Sequence, residues 1–121
     1  LGLAERAAFM AGDWATAVAG RFDLVVSNPP YVAEAEIAGL APEVSLFEPR
    51  RALAGGVDGL DAYRALSDRL PALLAPGGWA LLEVGRGQAA AVAAMLDRAG
   101  LSDVAVSADL GGVDRCVAGR K

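Results

Sequence analysis

Residues 22–31, with the sequence Phe-Asp-Leu-Val-Val-Ser-Asn-Pro-Pro-Tyr, combine an apolar run with an abrupt stop. The run from 22 to 26 predicts a buried strand of a parallel sheet, because such strands are apolar on both faces. The two prolines end the pairing because proline has no N–H group to donate to a neighbouring strand. Ligands of open α/β sheets bind at the carboxyl ends of the strands. The sequence therefore predicts that Asn28-Pro29-Pro30-Tyr31 lies at such an edge, in a ligand site.

These four residues carry groups suited to holding a planar –NH2 group. An amide or ring-attached amine is a poor nucleophile because its lone pair is delocalised into the neighbouring π system. The side-chain carbonyl of Asn28 and the backbone carbonyl of Pro29 can accept its two hydrogens. The fixed φ of proline preorganises the second acceptor, and the ring of Tyr31 can pack on the flat substrate. The pattern favours methyl transfer to a planar nitrogen, which requires no histidine. The alternative is an ordinary Pro-Pro turn after a core strand.

Composition restricts the class of protein and of partner. A chain of 121 residues suffices for one small domain, and its hydrophobic fraction of 55% predicts a folded core. The net charge of −4 argues against sequence-independent binding of nucleic-acid phosphates. Because the chain has no histidine and one cysteine, Cys116, we expect no metal site, no internal disulfide and a reducing compartment. No run approaches membrane-spanning length and no signal-peptide pattern opens the chain, so we expect a soluble, cytoplasmic protein.

The remaining sequence predicts alternating strands and helices, because apolar periodicity changes between the two types along the chain. We expect strands at 7–10, 22–26, 79–84, 103–107 and 115–118, and helical segments through Val18, within 33–40, from 58 to a break or kink at Pro71, and from 88 to Gly100. The apolar stripe of the third helical segment predicts its core-facing side: Leu60, Tyr63, Leu66 and Leu70. The last two strands are expected to form an antiparallel hairpin.

Four acidic residues allow more than one interpretation. Asp13 is placed to cap the short helical segment, or to accept a hydrogen bond from the exocyclic amine of adenine beside Trp14. Glu83, near the end of its strand, could reach the ligand cleft or face the N-terminus of the adjacent helix. For Glu43 and Glu48, solvent-exposed ion pairs with Arg50 and Arg51 are favoured over a role in orienting the substrate.

Several motifs together resemble one enzyme family. The tetrapeptide after an apolar strand is similar to the amino-methyltransferase signature of class I S-adenosylmethionine-dependent enzymes, which DNA and RNA enzymes share. The residues after it resemble the HemK/PrmC family of protein-(glutamine-N5) methyltransferases, which modify peptide-chain release factors. The matching pieces span nearly the whole chain: Gly12-Asp13-Trp14, Ser27-Asn28-Pro29-Pro30-Tyr31, Pro42-Glu43-Val44, Glu48-Pro49, Ala52-Leu53, Gly55-Gly56, Asp58-Gly59-Leu60, Pro76-Gly77-Gly78, Gly85 and Gln88.

The resemblance implies a Rossmann-like α/β fold with a mostly parallel sheet and a C-terminal antiparallel hairpin. The family's first two strands, with their glycine-rich turn and acidic residue for the cofactor, and its N-terminal helical domain are not found in this sequence. Residues 1–121 are therefore expected to be the C-terminal part of a single catalytic domain. The strand at 7–10 would then lack a neighbour, and the strand at 22–26 would have an open apolar edge. We expect the isolated chain to be inactive, and either to associate or to be marginally stable.

The resemblance also implies roles for individual residues. Asn28, Pro29 and Tyr31 are expected to be catalytic, and the whole Asn28-Pro29-Pro30-Tyr31 segment to bind the substrate. Asp13, Trp14 and Asn28 are expected to contact S-adenosylmethionine, with Trp14 acting through its backbone. Residues 30–58 are expected to cover the pocket and to recognise the substrate protein.

The implied reaction is N5-methylation of the glutamine in the Gly-Gly-Gln motif of release factors, with no membrane and no direct nucleic-acid partner. One alternative is a DNA or RNA base-amine methyltransferase, against which the acidity of the chain counts. Another is a non-catalytic, methyltransferase-like binding module.

Overall fold

A computed structural model of the chain describes residues 2–39 and 49–121. It contains both helices and strands. The helices are α1 (Glu34–Ile37), α2 (Arg50–Leu53), α3 (Asp61–Leu73) and α4 (Ala89–Arg98), the strands are β1 (Phe22–Ser27), β2 (Leu74–Glu83), β3 (Ser102–Ala108) and β4 (Asp114–Arg120), and a 3-10 turn lies at Ala4–Arg6. None of the helices in these two ranges is long and apolar enough to cross a membrane.

The strands form one sheet in the order β1-β2-β4-β3. β1 pairs with β2 in parallel, whereas β4 is antiparallel to both β2 and β3. β1, β2 and β3 therefore run in one direction and only β4 runs in the other. This arrangement confirms the expected α/β class and the C-terminal hairpin. The described sheet is mixed, with one parallel pair and two antiparallel pairs.

Helices α3 and α4 cover one face of this sheet. The predicted stripe of α3 is buried at Tyr63, Leu66 and Leu70, and it joins the inward-facing side chains of Leu82 and Val117 in one core. Helix α4 ends as predicted: Gly100 has a φ of +89°, its N–H bonds to the carbonyl of Asp97, and the next N–H reaches back to Leu96. These paired bonds satisfy carbonyls that the last turn would leave without partners.

Pro71 was predicted to break or kink this helix. It does not end the helix, because α3 continues through Pro71 to Leu73. A proline removes one hydrogen bond of a helix. Here that loss falls in the last turn, and the Leu74 N–H still bonds to the carbonyl of Leu70. Strand β2 then begins at Leu74, five residues before the predicted start at Trp79. Its pairing with β1 is irregular over residues 75–78.

The other face of the sheet is open among the described residues. Its side chains include Leu24, Val26 and Trp79, which are 55%, 68% and 36% exposed. Strand β1 is also an edge of the described sheet, because it pairs only with β2 there. The expectation of an open apolar edge at this strand agrees with the structure.

The secondary-structure predictions for residues 7–18 are wrong. Residues 7–10 do not form a strand, and Phe9 is 97% exposed. A strand needs a hydrogen-bonding neighbour, and no described strand lies beside this segment. Residues 13–18 form turns instead of a helix, with the N–H of Thr16 bonded to the carbonyl of Asp13 and that of Val18 to Ala15. Positive φ values at Trp14 and Ala15, 45° and 63°, are incompatible with a regular helix.

Candidate active site at the end of β1

Asn28 directly follows the last residue of β1, at the carboxyl end of the parallel strands, and its side chain is exposed. It lines two neighbouring cavities. One, of about 450 Å³, extends across the ends of β1, β2 and β4 and is lined by Val26, Ser27, Asn28, Leu81, Glu83, Arg115 and Cys116. The other, of about 350 Å³, lies along the loop and is lined by Asn28, Pro29, Pro30, Tyr31, Val32, Ala52 and Leu53. The carboxamide is therefore accessible between the two, and not enclosed in the core.

The loop after Asn28 is held by backbone hydrogen bonds. Val32 forms a parallel bridge with Ala54: its N–H bonds to the carbonyl of Leu53 at 2.9 Å, and its own carbonyl accepts the N–H of Gly55 at 2.8 Å. Pro29 is buried, while Pro30 and Tyr31 are half-buried. These contacts keep the four residues of the motif in one ordered arrangement at the cavity wall.

Gln88, just before α4, connects this loop to the rest of the domain. Its Nε2 donates to the backbone carbonyls of Tyr31 at 2.9 Å and of Gly59 at 3.3 Å. Its Oε1 accepts the backbone N–H of Gly85 at 3.0 Å. The sequence showed Gln88 only as part of the resemblance, because no local pattern reveals a bond to a residue 57 positions away.

Two glycines allow the backbone to approach closely at this point. A Cβ atom on Gly59 would lie 2.4 Å from the Tyr31 carbonyl oxygen, and φ of Gly59 is +77°. A Cβ atom on Gly85 would lie 2.7 Å from the ring of Tyr31. Any side chain at either position would push Tyr31 away from its place, so both glycines help to shape the site.

Tyr63, predicted to be a core residue, is fully buried behind the site. Its hydroxyl donates a 2.8 Å hydrogen bond to the carbonyl of Glu83. Burial, together with the charges of nearby Tyr31 and Glu83, raises the pKa of Tyr63 well above its usual range. Tyr63 therefore stays neutral and supports the end of β2 instead of exchanging protons.

Of the two interpretations of Glu83, the structure places it in the cleft, where it lines the larger cavity with Asn28. Sequence reasoning missed two residues of the same wall, Arg115 and Cys116. They come from β4, which lies beside β2 only after the chain has turned back. Arg115 is held by Asp109, whose carboxylate is 3.3 Å from its Nε. The wall thus carries a carboxylate, a guanidinium and a thiol around an apolar floor.

Asp13 and Trp14 line neither of these two cavities. Asp13 is exposed and is not a helix cap, because turns follow it. Trp14 is half-buried and packs against the core cluster. Their contact with a cofactor remains a prediction. The acidic residues Glu43 and Glu48 lie outside the described residues, as do residues 40–48 of the segment expected to cover the pocket. Within the described ranges, no group of three potential metal-ligating side chains comes together.

No family model matches the sequence. A release factor glutamine methyltransferase of Rhodospirillum rubrum is 55% identical over 121 residues, which cover the whole of this chain and 37% of that protein. One from Cereibacter sphaeroides is 53% identical over 120 residues, covering 99% of this chain and 43% of that protein. The predicted family resemblance is confirmed. This chain is homologous along its length to one segment of the release factor glutamine methyltransferases, and it spans about two fifths of the relatives that it matches.

A solved structure supports the same family and the fold. The crystal structure of a protein-(glutamine-N5) methyltransferase (release factor-specific) from Alicyclobacillus acidocaldarius is 30% identical, with a TM-score of 0.53. The match covers 84% of this chain and 49% of that one. The α/β architecture described above thus matches about half of that methyltransferase.

Proposed function

We propose that residues 1–121 form the C-terminal part of the catalytic domain of an S-adenosylmethionine-dependent methyltransferase. Its proposed reaction is N5-methylation of the glutamine in the Gly-Gly-Gln motif of peptide-chain release factors. One observation carries this proposal beyond homology: the exposed Asn28 carboxamide stands between two cavities at the carboxyl end of β1. An acceptor at this edge, followed by a buried Pro29, suits a flat amide substrate.

The site residues act by binding and orientation. Asn28 Oδ1 and the Pro29 carbonyl accept the two N–H groups of the substrate glutamine, and the ring of Tyr31 packs against its plane. With both hydrogens held, the face of the nitrogen is directed toward the methyl donor. The nitrogen would form a bond to the methyl carbon as the bond between that carbon and the sulfonium sulfur breaks, with the neutral thioether as the leaving group. The N-methylated amide formed in the step is acidic and would lose its proton to water. No side chain is needed as a general base.

The residues expected to hold the cofactor have chemistry that fits it. S-adenosylmethionine, when bound, supplies an electrophilic methyl group. Asp13 is exposed, so its carboxylate is accessible to the exocyclic amine of adenine. Trp14 offers ring area and a backbone N–H beside it. Asn28 would contact the cofactor at the wall of the larger cavity.

The open face of the sheet supports a further part of the proposal. Three apolar side chains there, Leu24, Val26 and Trp79, are more than one third exposed. Contiguous apolar surface of this kind favours association. The isolated chain is therefore expected to be inactive, and to associate or to be marginally stable. Sedimentation of the purified chain tests this, and a monodisperse monomer with full methyl transfer would contradict it. Release factors act in the cytoplasm, and we place this protein there as well.

The reaction is tested in a chimera in which this chain replaces the matching segment of the Rhodospirillum rubrum relative. Labelled S-adenosylmethionine is supplied with a release factor, and Asn28→Ala is compared with the parent chimera. We expect a loss of about 100-fold in kcat, the usual effect of removing one preorganised polar contact at a reacting group. Ser67→Ala is the control, because its hydroxyl bonds to the carbonyl of Arg64 within α3. Equal rates for parent and Asn28→Ala would refute the proposal, and labelling of an oligonucleotide instead would select a base-amine substrate.

A further inference from the structure

We propose that Gln88 is a positioning residue, which sets the place of the Pro29 carbonyl acceptor without contacting the substrate. The proposal rests on the proposed function of the Asn28 site. It concerns a residue to which neither the sequence motifs nor the relatives' names assign a role.

The carboxamide of Gln88 joins three separate segments of backbone. It donates to Tyr31 in the loop after β1 and to Gly59 in the loop before α3, and it accepts from Gly85 in the turn after β2. Two carbonyls on one side and one N–H on the other determine which end is the NH2 group and which is the oxygen. Both amide hydrogens and the oxygen are therefore used, and the half-buried side chain has one orientation.

No isosteric side chain can replace these bonds. A glutamate at this position would have no N–H donor, and its carboxylate would face the carbonyl oxygens of Tyr31 and Gly59. A methionine of similar length would leave both carbonyls and the Gly85 N–H without this partner, and an unsatisfied group in a partly buried place is costly. The site thus requires a carboxamide of this length.

The bond to Tyr31 is transmitted to the acceptor through a stiff connection. Pro30 is the one residue between Pro29 and Tyr31, and its ring locks its φ angle, which removes one of the soft torsions between the Pro29 carbonyl and that of Tyr31. Pro29 is also buried, which restricts movement at the other end. An anchor at Tyr31 therefore fixes the direction of the Pro29 carbonyl. A displacement of about 1 Å at a reacting group can cost 100-fold in rate.

Anchoring is tested first in the chimera, by amide hydrogen exchange of Gln88→Glu, Gln88→Met and Ser67→Ala. The amides of Val32 and Gly55 bond across the loop, to Leu53 and Val32, and report on its opening. We expect these two amides to exchange at least 10-fold faster in both Gln88 variants, with the central β2 amides unchanged. Ser67→Ala removes a buried hydroxyl far from the loop and should leave Val32 and Gly55 as in the parent.

Positioning is tested second, by methyl transfer in the folded chimera at temperatures well below each variant's melting point. We expect kcat to fall by about 10- to 100-fold in both Gln88 variants. KM for S-adenosylmethionine should stay unchanged, because Gln88 positions only the Pro29 carbonyl, which accepts a hydrogen bond from the glutamine substrate. A general loss of stability would instead lower the rate only as the protein melts.

The outcomes separate the two proposals. Parent-like exchange at Val32 and Gly55 in Gln88→Glu and Gln88→Met overturns the anchoring. Faster exchange with an unchanged kcat makes Gln88 a structural residue and overturns the positioning role. A folded parent chimera that transfers no methyl group refutes the proposed function, and the positioning role for that reaction with it, whatever the exchange shows.

Discussion

Replacing Gly59 by alanine should measure how closely the loop of Tyr31 approaches the loop before α3. The added Cβ atom would lie 2.4 Å from the Tyr31 carbonyl oxygen and 2.7 Å from Gln88 Nε2. The first contact is with backbone, which cannot rotate away as a flexible side chain can. Either Tyr31 or Gly59 must therefore move, and the hydrogen bonds of Gln88 are strained or lost.

Gly87→Ala is a matched control for this substitution. Gly87 has a φ of +79°, nearly the same as the +77° of Gly59, but no atom lies within 4 Å of its added Cβ. Both variants carry the cost of a left-handed alanine, about 1–2 kcal/mol. Only Gly59→Ala adds the cost of overpacking, about 1–3 kcal/mol. We expect losses of about 1–2 kcal/mol for Gly87→Ala and about 2–5 kcal/mol for Gly59→Ala.

Urea unfolding of the chimera, followed by tryptophan fluorescence, measures both values, and an unchanged m-value shows that the states compared are the same. The hydrogen exchange rate of the Val32 amide adds a local measurement, and this rate should rise in Gly59→Ala alone. Equal free energies of unfolding for the two variants would show that the Tyr31 carbonyl does not lie against Gly59. That result would remove the physical basis of the cluster around Gln88.

Three further variants test the core and one ion pair. Tyr63→Phe should lower the free energy of unfolding by about 1 kcal/mol, because it removes the hydroxyl's bond to the Glu83 carbonyl; a neutral result in urea unfolding would count against that bond. Leu70→Ala should cost about 2–5 kcal/mol, because this side chain is fully buried; a loss below 1 kcal/mol would place it outside the core. Asp58→Asn should change how the stability of the protein depends on pH under acidic conditions. Hydrogen bonds from the Arg64 guanidinium and from a backbone N–H lower the pKa of Asp58 from 3.8 to about 2. The contribution of this carboxylate is therefore complete above pH 4 and is lost as the pH falls toward 2. Between pH 5 and pH 2, the melting temperature should fall less steeply for Asp58→Asn than for the parent. The same pH dependence in both proteins would contradict this assignment.

Several elements followed directly from local pattern. The apolar run ending in two prolines predicted β1 and its end, and the stripe of Tyr63, Leu66 and Leu70 predicted the buried side of α3. Gly100 predicted the end of α4. In each case the signal lies within a few residues of the feature, because side-chain period and capping are local properties.

The predictions that failed concern features that depend on a distant partner or on the position of a residue within an element. Residues 7–10 have a strand-like composition, but a strand forms only beside a hydrogen-bonding neighbour, and none lies there in the described sheet. Pro71 was expected to break or kink α3, but it lies in the last turn, where the loss of one hydrogen bond does not end the helix.

For the candidate site, the sequence alone determined the chemical groups and their place at the end of a strand: the Asn28 amide, two rigid prolines and the ring of Tyr31. Only the tertiary structure brought Glu83, Arg115 and Cys116 to the same cavity, and Gln88 to the Tyr31 carbonyl. The reason is physical. Chemical groups and backbone stiffness belong to single residues, whereas a hydrogen bond between residues 57 positions apart exists only after the chain has folded.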